Sequence, residues 1–185
     1  MAPKPRSDET TPHSSPPREK VALSFVEMRT AVVGHQVDSL TFHEQQGSDR
    51  CVLFVIRRES TGAPSEQTTK CRAQINYLRF DGIVPVRVKD GAWLNRYFNV
   101  AKMDVGDTAQ LILAVTRPKE PWSVLEAQRR HVGEDVGYVS KELLPDSCDV
   151  LITLMAQEGG FVEQHRVTLT LDEDDTASWK YRGII

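Results

Sequence analysis

"SCDVLITLMAQEGGFVEQHRVTLTLDEDDTASWKYRGI", Ser147 to Ile184, is the stretch whose reading decides the fold. Cys148, Val150, Ile152 and Leu154 recur at every second residue. That is the period of an extended strand, in which successive side chains point to opposite faces. "QEGG" turns the chain. Phe161, His165, Val167, Leu169 and Leu171 then line one face, with Gln164, Arg166, Thr168 and Thr170 opposite. "DEDDTA" turns it again, and "SWKYRGI" sets Trp179 and Tyr181 against Lys180 and Arg182. The three segments read as an antiparallel meander.

The same period runs upstream. Val21, Leu23 and Phe25 share a side, and Leu40 and Phe42 alternate with Thr41 and His43. "CVLFVIRR", from Cys51, is a continuous apolar run, which fits a strand buried on both faces. Cys71, Ala73, Ile75 and Tyr77 alternate with Arg72, Gln74 and Asn76. Pro85 marks its segment as an edge strand, because proline cannot donate to a ladder. A short strand is expected at 97–101. "TAQLILAV" sends Leu111, Leu113 and Val115 one way and Gln110, Ile112 and Ala114 the other. Residues 121–131 form the one helix candidate: Pro121 in the first turn, Glu126 early, Arg129 and Arg130 late, Gly133 as the stop.

Eight to ten short strands, one short helix near 121–131 and no βαβ alternation predict an all-β antiparallel sandwich. The closing hairpin, "LLPDSCDVLITLMAQEGGFVEQHRVTLTL", resembles that of an immunoglobulin-like sandwich. The resemblance implies a fold class and no functional residues, and the cysteine pair and central tryptophan of antibody domains are not matched. C2-like and jelly-roll arrangements stay open beside it.

A chain of 185 residues with 39% hydrophobic and 26% charged side chains can bury a core in one domain. Residues 1–20 hold half of the prolines and, past Met1 and Ala2, no large apolar side chain. Nothing in them offsets the entropy of ordering, so the expected organisation is a disordered tail followed by a single sandwich domain over 21–185. The net charge of −3 supplies no strong drive towards nucleic acid. The pairs Arg57–Arg58 and Arg129–Arg130 read as solvated surface. No secretory leader pattern, membrane-length apolar run or glycosylation sequon is found. Cys51, Cys71 and Cys148 are odd in number and widely spaced, so they read as reduced thiols of a cytoplasmic protein. A Cys51–Cys71 disulfide is the minor alternative.

Asp172 to Asp175 place four carboxylates in a row. They lack the glycine and the terminal glutamate of an EF-hand loop, and consecutive side chains diverge, so the reading is a solvated hairpin tip. The alternative is a calcium site using Asp172, Asp174 and Asp175, with Asp81, Glu134, Asp135 or Asp146 as second contributors. No nucleophile elbow, phosphate-binding loop, zinc-protease helix or dinucleotide fingerprint occurs. Cys148 and His165 sit on neighbouring strands, but both continue core-facing rows. "WLNRYF", Trp93 to Phe98, is the densest aromatic cluster. Trp93 and Tyr97 are candidate contacts for a sugar or a peptide, with core packing as the plainer reading. Trp122 is a candidate partner anchor or a cap on one end of the sandwich. The expected function is a non-catalytic intracellular adaptor, without cofactor, that binds protein through the N-terminal tail or an exposed sheet edge. A calcium- or carbohydrate-binding sandwich is the alternative.

Overall fold

The computed structural model describes residues 21–36, 41–44, 47–61, 68–79, 86–95, 99–129, 136–157, 160–172, 174 and 176–185. The expectations for residues 1–20 and for Tyr97 lie outside them. The strands in chain order are β1 (Ala22–Gln36), β2 (Thr41–Glu44), β3 (Asp49–Glu59), β4 (Thr69–Arg79), β5 (Val86–Val88), β6 (Ala92–Trp93), β7 (Ala101–Met103), β8 (Thr108–Thr116), β9 (Ser123–Arg129), β10 (Val136–Leu143), β11 (Ser147–Ala156), β12 (Val162–Leu171) and β13 (Ala177–Ile184). They form two antiparallel sheets packed together as a β-sandwich. The first sheet runs β10-β9-β8-β3-β1-β2, with β6 beside β8. The second runs β13-β12-β11-β4-β5, with β7 beside β4.

The closing meander forms as its alternation demands. Val150 pairs with Val167 across β11 and β12, and Leu169 pairs with Trp179 across β12 and β13. Cys148, Val150, Ile152, Leu154, Val167, Leu169 and Leu171 all enter the main core between the sheets. β3 is buried on both faces, as its unbroken apolar run predicts. Val52, Phe54 and Ile56 belong to the main core, while Cys51 and Leu53 join a second, smaller cluster with Val33, Ile112, Val115 and Leu125. β5, next to Pro85, is an edge strand of the second sheet. The three cysteines are buried thiols outside any disulfide, with Cys51 and Cys71 in different clusters.

Three expectations are corrected. No helix occurs among the described residues, and 123–129 is the strand β9. Trp122 and Val124 point into the main core and Leu125 into the second cluster, a strand's alternation. Pro121, Glu126 and the late arginines are local helix signals worth tenths of a kcal/mol to about 1 kcal/mol. Pairing with β10, from Leu125↔Ser140 to Arg129↔Val136, supplies a ladder that outweighs them. In β8 the alternation holds through Leu113 and then inverts. Val52 pairs with Ala114 but Leu53 with Ile112, so Leu113 is an extra residue. This bulge turns Ala114 to the main core and Val115 to the second cluster. Finally, Arg58 is buried rather than solvated, and its Nη1 donates to the Met103 carbonyl at 2.9 Å.

Gly91 marks a crossing between the sheets. Its N–H donates to the Ala73 carbonyl of β4 at 2.9 Å, and Ala92 and Trp93 then pair with β8 in the other sheet. A Cβ at this position would lie 2.8 Å from Leu111 Cδ1 and 3.2 Å from Ala73 Cβ, so only glycine fits without a shift.

Candidate functional site

Two of the tryptophans singled out in the sequence prove structural. Trp93 is wholly buried in the main core and pairs with Leu111, so the structure corrects its nomination as a sugar or partner contact. Trp122 is 4% exposed and is likewise corrected as a projecting anchor. Its Nε1–H donates to the Asp172 carbonyl at 3.2 Å, tying the β8–β9 connection to the β12–β13 turn. The indole thereby closes one end of the sandwich. It lies beneath a cleft of about 460 Å³ whose rim includes Lys119, Glu120, Asp146 and Asp172.

Asp172 and Asp174, the described members of the acidic run, stand in the turn between β12 and β13. Asp172 N–H donates to the Thr176 carbonyl at 2.9 Å. Thr176 Oγ1 donates to Asp174 Oδ1 at 2.6 Å and lies 3.0 Å from Asp172 Oδ2. The Thr176 hydroxyl and backbone bonds hold the Asp174 carboxyl below the usual carboxylate range. Asp175, Asp81, Glu134 and Asp135 lie outside the described residues. Asp146 does reach the same cleft as Asp172, but among the described residues no three His, Cys, Asp or Glu side chains are grouped to hold a metal. Asp174 is exposed, and converting it and its neighbour Asp175 to Asn is expected to leave the melting temperature within about 2 °C, the usual small effect of a surface substitution. Millimolar calcium is expected to leave it unchanged as well, because only a ligand of the folded state raises it. A calcium-dependent rise that the double Asn variant abolishes would restore the metal reading.

Cys148 and His165 do not form a nucleophile–base pair. Cys148 pairs with Leu169 and His165 with Ile152, four residues further along the ladder, which is roughly 13 Å. His165 is instead enclosed. Its Nδ1 lies 2.9 Å from the Tyr181 hydroxyl, and its ring meets Phe54 edge-on at 5.2 Å. Phe25 stacks on Tyr181 at 3.9 Å. The other ring nitrogen, Nε2, lies 2.7 Å from Glu163 Oε1, within ion-pair distance but poorly aligned for a hydrogen bond. Burial lowers the His165 pKa to about 4 and raises that of Glu163. Burial, with the Glu163 charge second, raises that of Tyr181. Burial also pushes the Cys71 thiol up to about 12, so it is no thiolate nucleophile near neutrality.

The His165 environment has a pH signature. The unfolded chain binds a proton at this histidine near pH 6.5, while the folded chain resists it down to about pH 4. The stability contributed is therefore present above pH 6.5 and is lost as the pH falls through this window. The raised Glu163 pKa works in the opposite sense, so the comparison must isolate the histidine. Between pH 7 and pH 5 the wild type is expected to lose about 1–2 kcal/mol more than His165→Gln, allowing for solvent near Glu163. Urea unfolding at the two pH values measures this, and equal losses would mean that His165 is solvated.

Among the described residues, the outer face of the second sheet is open, together with its β13 edge. Among the described residues the outward positions carry Arg72, Arg87, Lys102, Arg166, Lys180 and Arg182, with Lys70 at one margin. The one outward carboxylate on these strands is Asp149, which is buried and accepts hydrogen bonds from the Arg166 guanidinium and, at 2.8 Å, from Thr168 Oγ1. Burial pushes the Asp149 carboxyl up, but these bonds outweigh it and hold the group below its ordinary range. Arg182 Nε donates to Thr168 Oγ1 at 3.1 Å, so Asp149, Thr168, Arg166 and Arg182 form one connected set. Ladder pairing sets Arg87, Asn76, Leu151 and Arg166 in a row, and Leu78, Asp149, Thr168 and Lys180 in the next.

A net charge of −3 conceals this basic face, because it does not show how the charges are sorted. The signal was present in the polar positions of "KCRAQ", "QHRVT" and "SWKYR", where the charges are basic and not acidic. No protein-family model matches this chain, and no curated protein sequence matches it either.

Proposed function

We propose that this chain is a non-catalytic intracellular adaptor, a β-sandwich module of immunoglobulin-like character, that binds another protein through the β13 edge of its second sheet. The observation that carries the reading is the state of that edge. β13 is eight residues long and, among the described strands, pairs with β12 alone. Alternate residues of such an edge aim their N–H and C=O groups away from the sheet, where a partner strand can meet them. Its inward side chains, Ala177, Trp179 and Tyr181, are only partly buried against the core, so apolar surface remains to be covered. Metal binding and sugar stacking draw no comparable support: the described acids do not group, and Trp93 is enclosed.

The test is site-specific photo-crosslinking in the native cell. A photoreactive residue in place of Ser178, on the β13 edge, is expected to give protein adducts. The same residue in place of Val105, exposed on the β7–β8 turn, is expected to give none in common with them. No adduct at 178, or the same adducts at both positions, would overturn the proposal. Deleting residues 1–20 in parallel shows whether the tail contributes to capture.

A further inference from the structure

The geometry points to the chemistry of the partner: we infer that β13 accepts an extended strand of another protein in which acidic and apolar residues alternate. The inference rests on the adaptor reading and adds what the docked segment must carry. Any strand laid beside β13 presents its side chains alternately to the two faces of the second sheet. On the inner side it meets Trp179 and Tyr181, both partly buried at the margin of the core, with Phe25 stacked on Tyr181. Apolar side chains suit that side. On the outer side it meets Lys180 and Arg182, with half-exposed Arg166 one strand behind them. Carboxylates suit that side, and the guanidiniums can receive them as forks.

The local backbone sharpens this polarity. Between Arg166 and Val167 the β12–β13 register shifts, so that Gly183 pairs with Arg166 and Tyr181 with Val167. Arg182 is the extra residue of this bulge, and Gly183 takes a φ of +105°, which favours glycine. The Arg182 side chain is turned onto Thr168, beside the Asp149–Arg166 pair. The connected set therefore holds cations at the rim of the edge.

Two other occupants fit this edge less well, one for its charge and one for want of aromatic rings. A second copy of β13 aligned antiparallel about Tyr181 would set Lys180 against Arg182 twice, and like charges directly opposite are destabilising. In that register the edge repels a copy of itself while admitting an acidic strand, as specificity by repulsion requires. A single-stranded nucleic acid would need aromatic rings on which bases stack. None of the described outward side chains of this sheet is aromatic.

The test uses the full chain and an acetylated, amidated peptide of about ten residues alternating Glu and Val, near the usual upper length of a strand. A scrambled peptide of the same composition, an alternating Lys–Val peptide and a thymidine oligonucleotide serve as rivals. The Glu–Val peptide is expected to bind with an affinity that falls as salt rises, and to slow amide exchange across Ala177–Ile184. Lys180→Glu combined with Arg182→Glu is expected to weaken it at least about tenfold, or about 1.4 kcal/mol, and to make the Lys–Val peptide the better ligand. Reversing Arg57 on β3 and Arg117 after β8, both on the first sheet's side, is expected to change binding less than twofold. Absent binding, equal binding of the scrambled peptide, tighter binding of the oligonucleotide, or unchanged exchange in β13 would each overturn the inference. If the Ser178 crosslinks survive in the double Glu variant, the adaptor reading stands and this inference falls.

Discussion

Replacing Trp93 by Ala is expected to lower the stability of the fold by about 3–5 kcal/mol, the usual cost of truncating a fully buried large aromatic. The ring has no exposed surface and is the largest of the fully buried side chains. It sits on β6, whose two residues pair with Leu111 and Ile112 of β8. So short a strand has little ladder of its own, and the indole is what binds it to the core. The chain reaches this position through Gly91, whose N–H is bonded to β4, so the backbone on either side is anchored to opposite sheets. Neither anchor is free to close a cavity by sliding inward. Urea unfolding measures the effect. Trp93→Phe is expected to recover a good part of the loss, because a ring still fills much of the space. A cost below about 1 kcal/mol for Trp93→Ala would place the indole near the surface and restore it as a candidate ligand contact.

Ile152→Ala is expected to cost about 2–5 kcal/mol, and Ile152→Val about 0.5–1.5 kcal/mol. Ile152 sits at the middle of a row across the second sheet, Val88, Ile75, Ile152 and His165, each with no exposed surface. It is flanked on both sides by paired strands, so the walls of a cavity here are held by two ladders and collapse little. Truncation would also loosen the packing beside His165. The His165 pH dependence is therefore expected to shrink in Ile152→Ala, as water reaches the ring. A cost below about 0.5 kcal/mol for the Ala variant would mean that β11 is out of the described register by one residue, since such a slip moves every side chain to the opposite face.

Much of the architecture was legible from residues 147–184, where a period of two, broken only at the Arg182 bulge, marked three strands without help from the rest of the chain. The unbroken apolar run at 51–56 told truly of burial on both faces, and the alternation at 71–77 of a strand with one face in the core. The turn that holds Asp172 and Asp174 was legible because it directly follows one alternating segment and precedes another. These features are local: alternation, apolar runs and turn residues are properties of a few neighbours in sequence, and one packed face suffices to select them.

What the sequence could not decide depended on strands distant in the chain. Residues 123–129 carry helix signals, and only β10 beside them made a strand. The bulge at Leu113 is set by pairing with Val52 and Leu53, some sixty positions away, so no inspection of "TAQLILAV" alone could send Val115 to the second cluster. For Trp93 and Trp122 a surface role stayed open beside the plainer packing one until two sheets closed over them. The basic face is the plainest case. Its cations come from β4, β5, β7, β12 and β13, and they share a surface only because the ladder order places those strands side by side. By itself the sequence determined which segments extend and which faces of them are apolar; the tertiary structure alone decided which segments are neighbours, in what register, and hence where charge gathers, because pairing and register are long-range choices settled by burial and backbone hydrogen bonding over the whole sandwich.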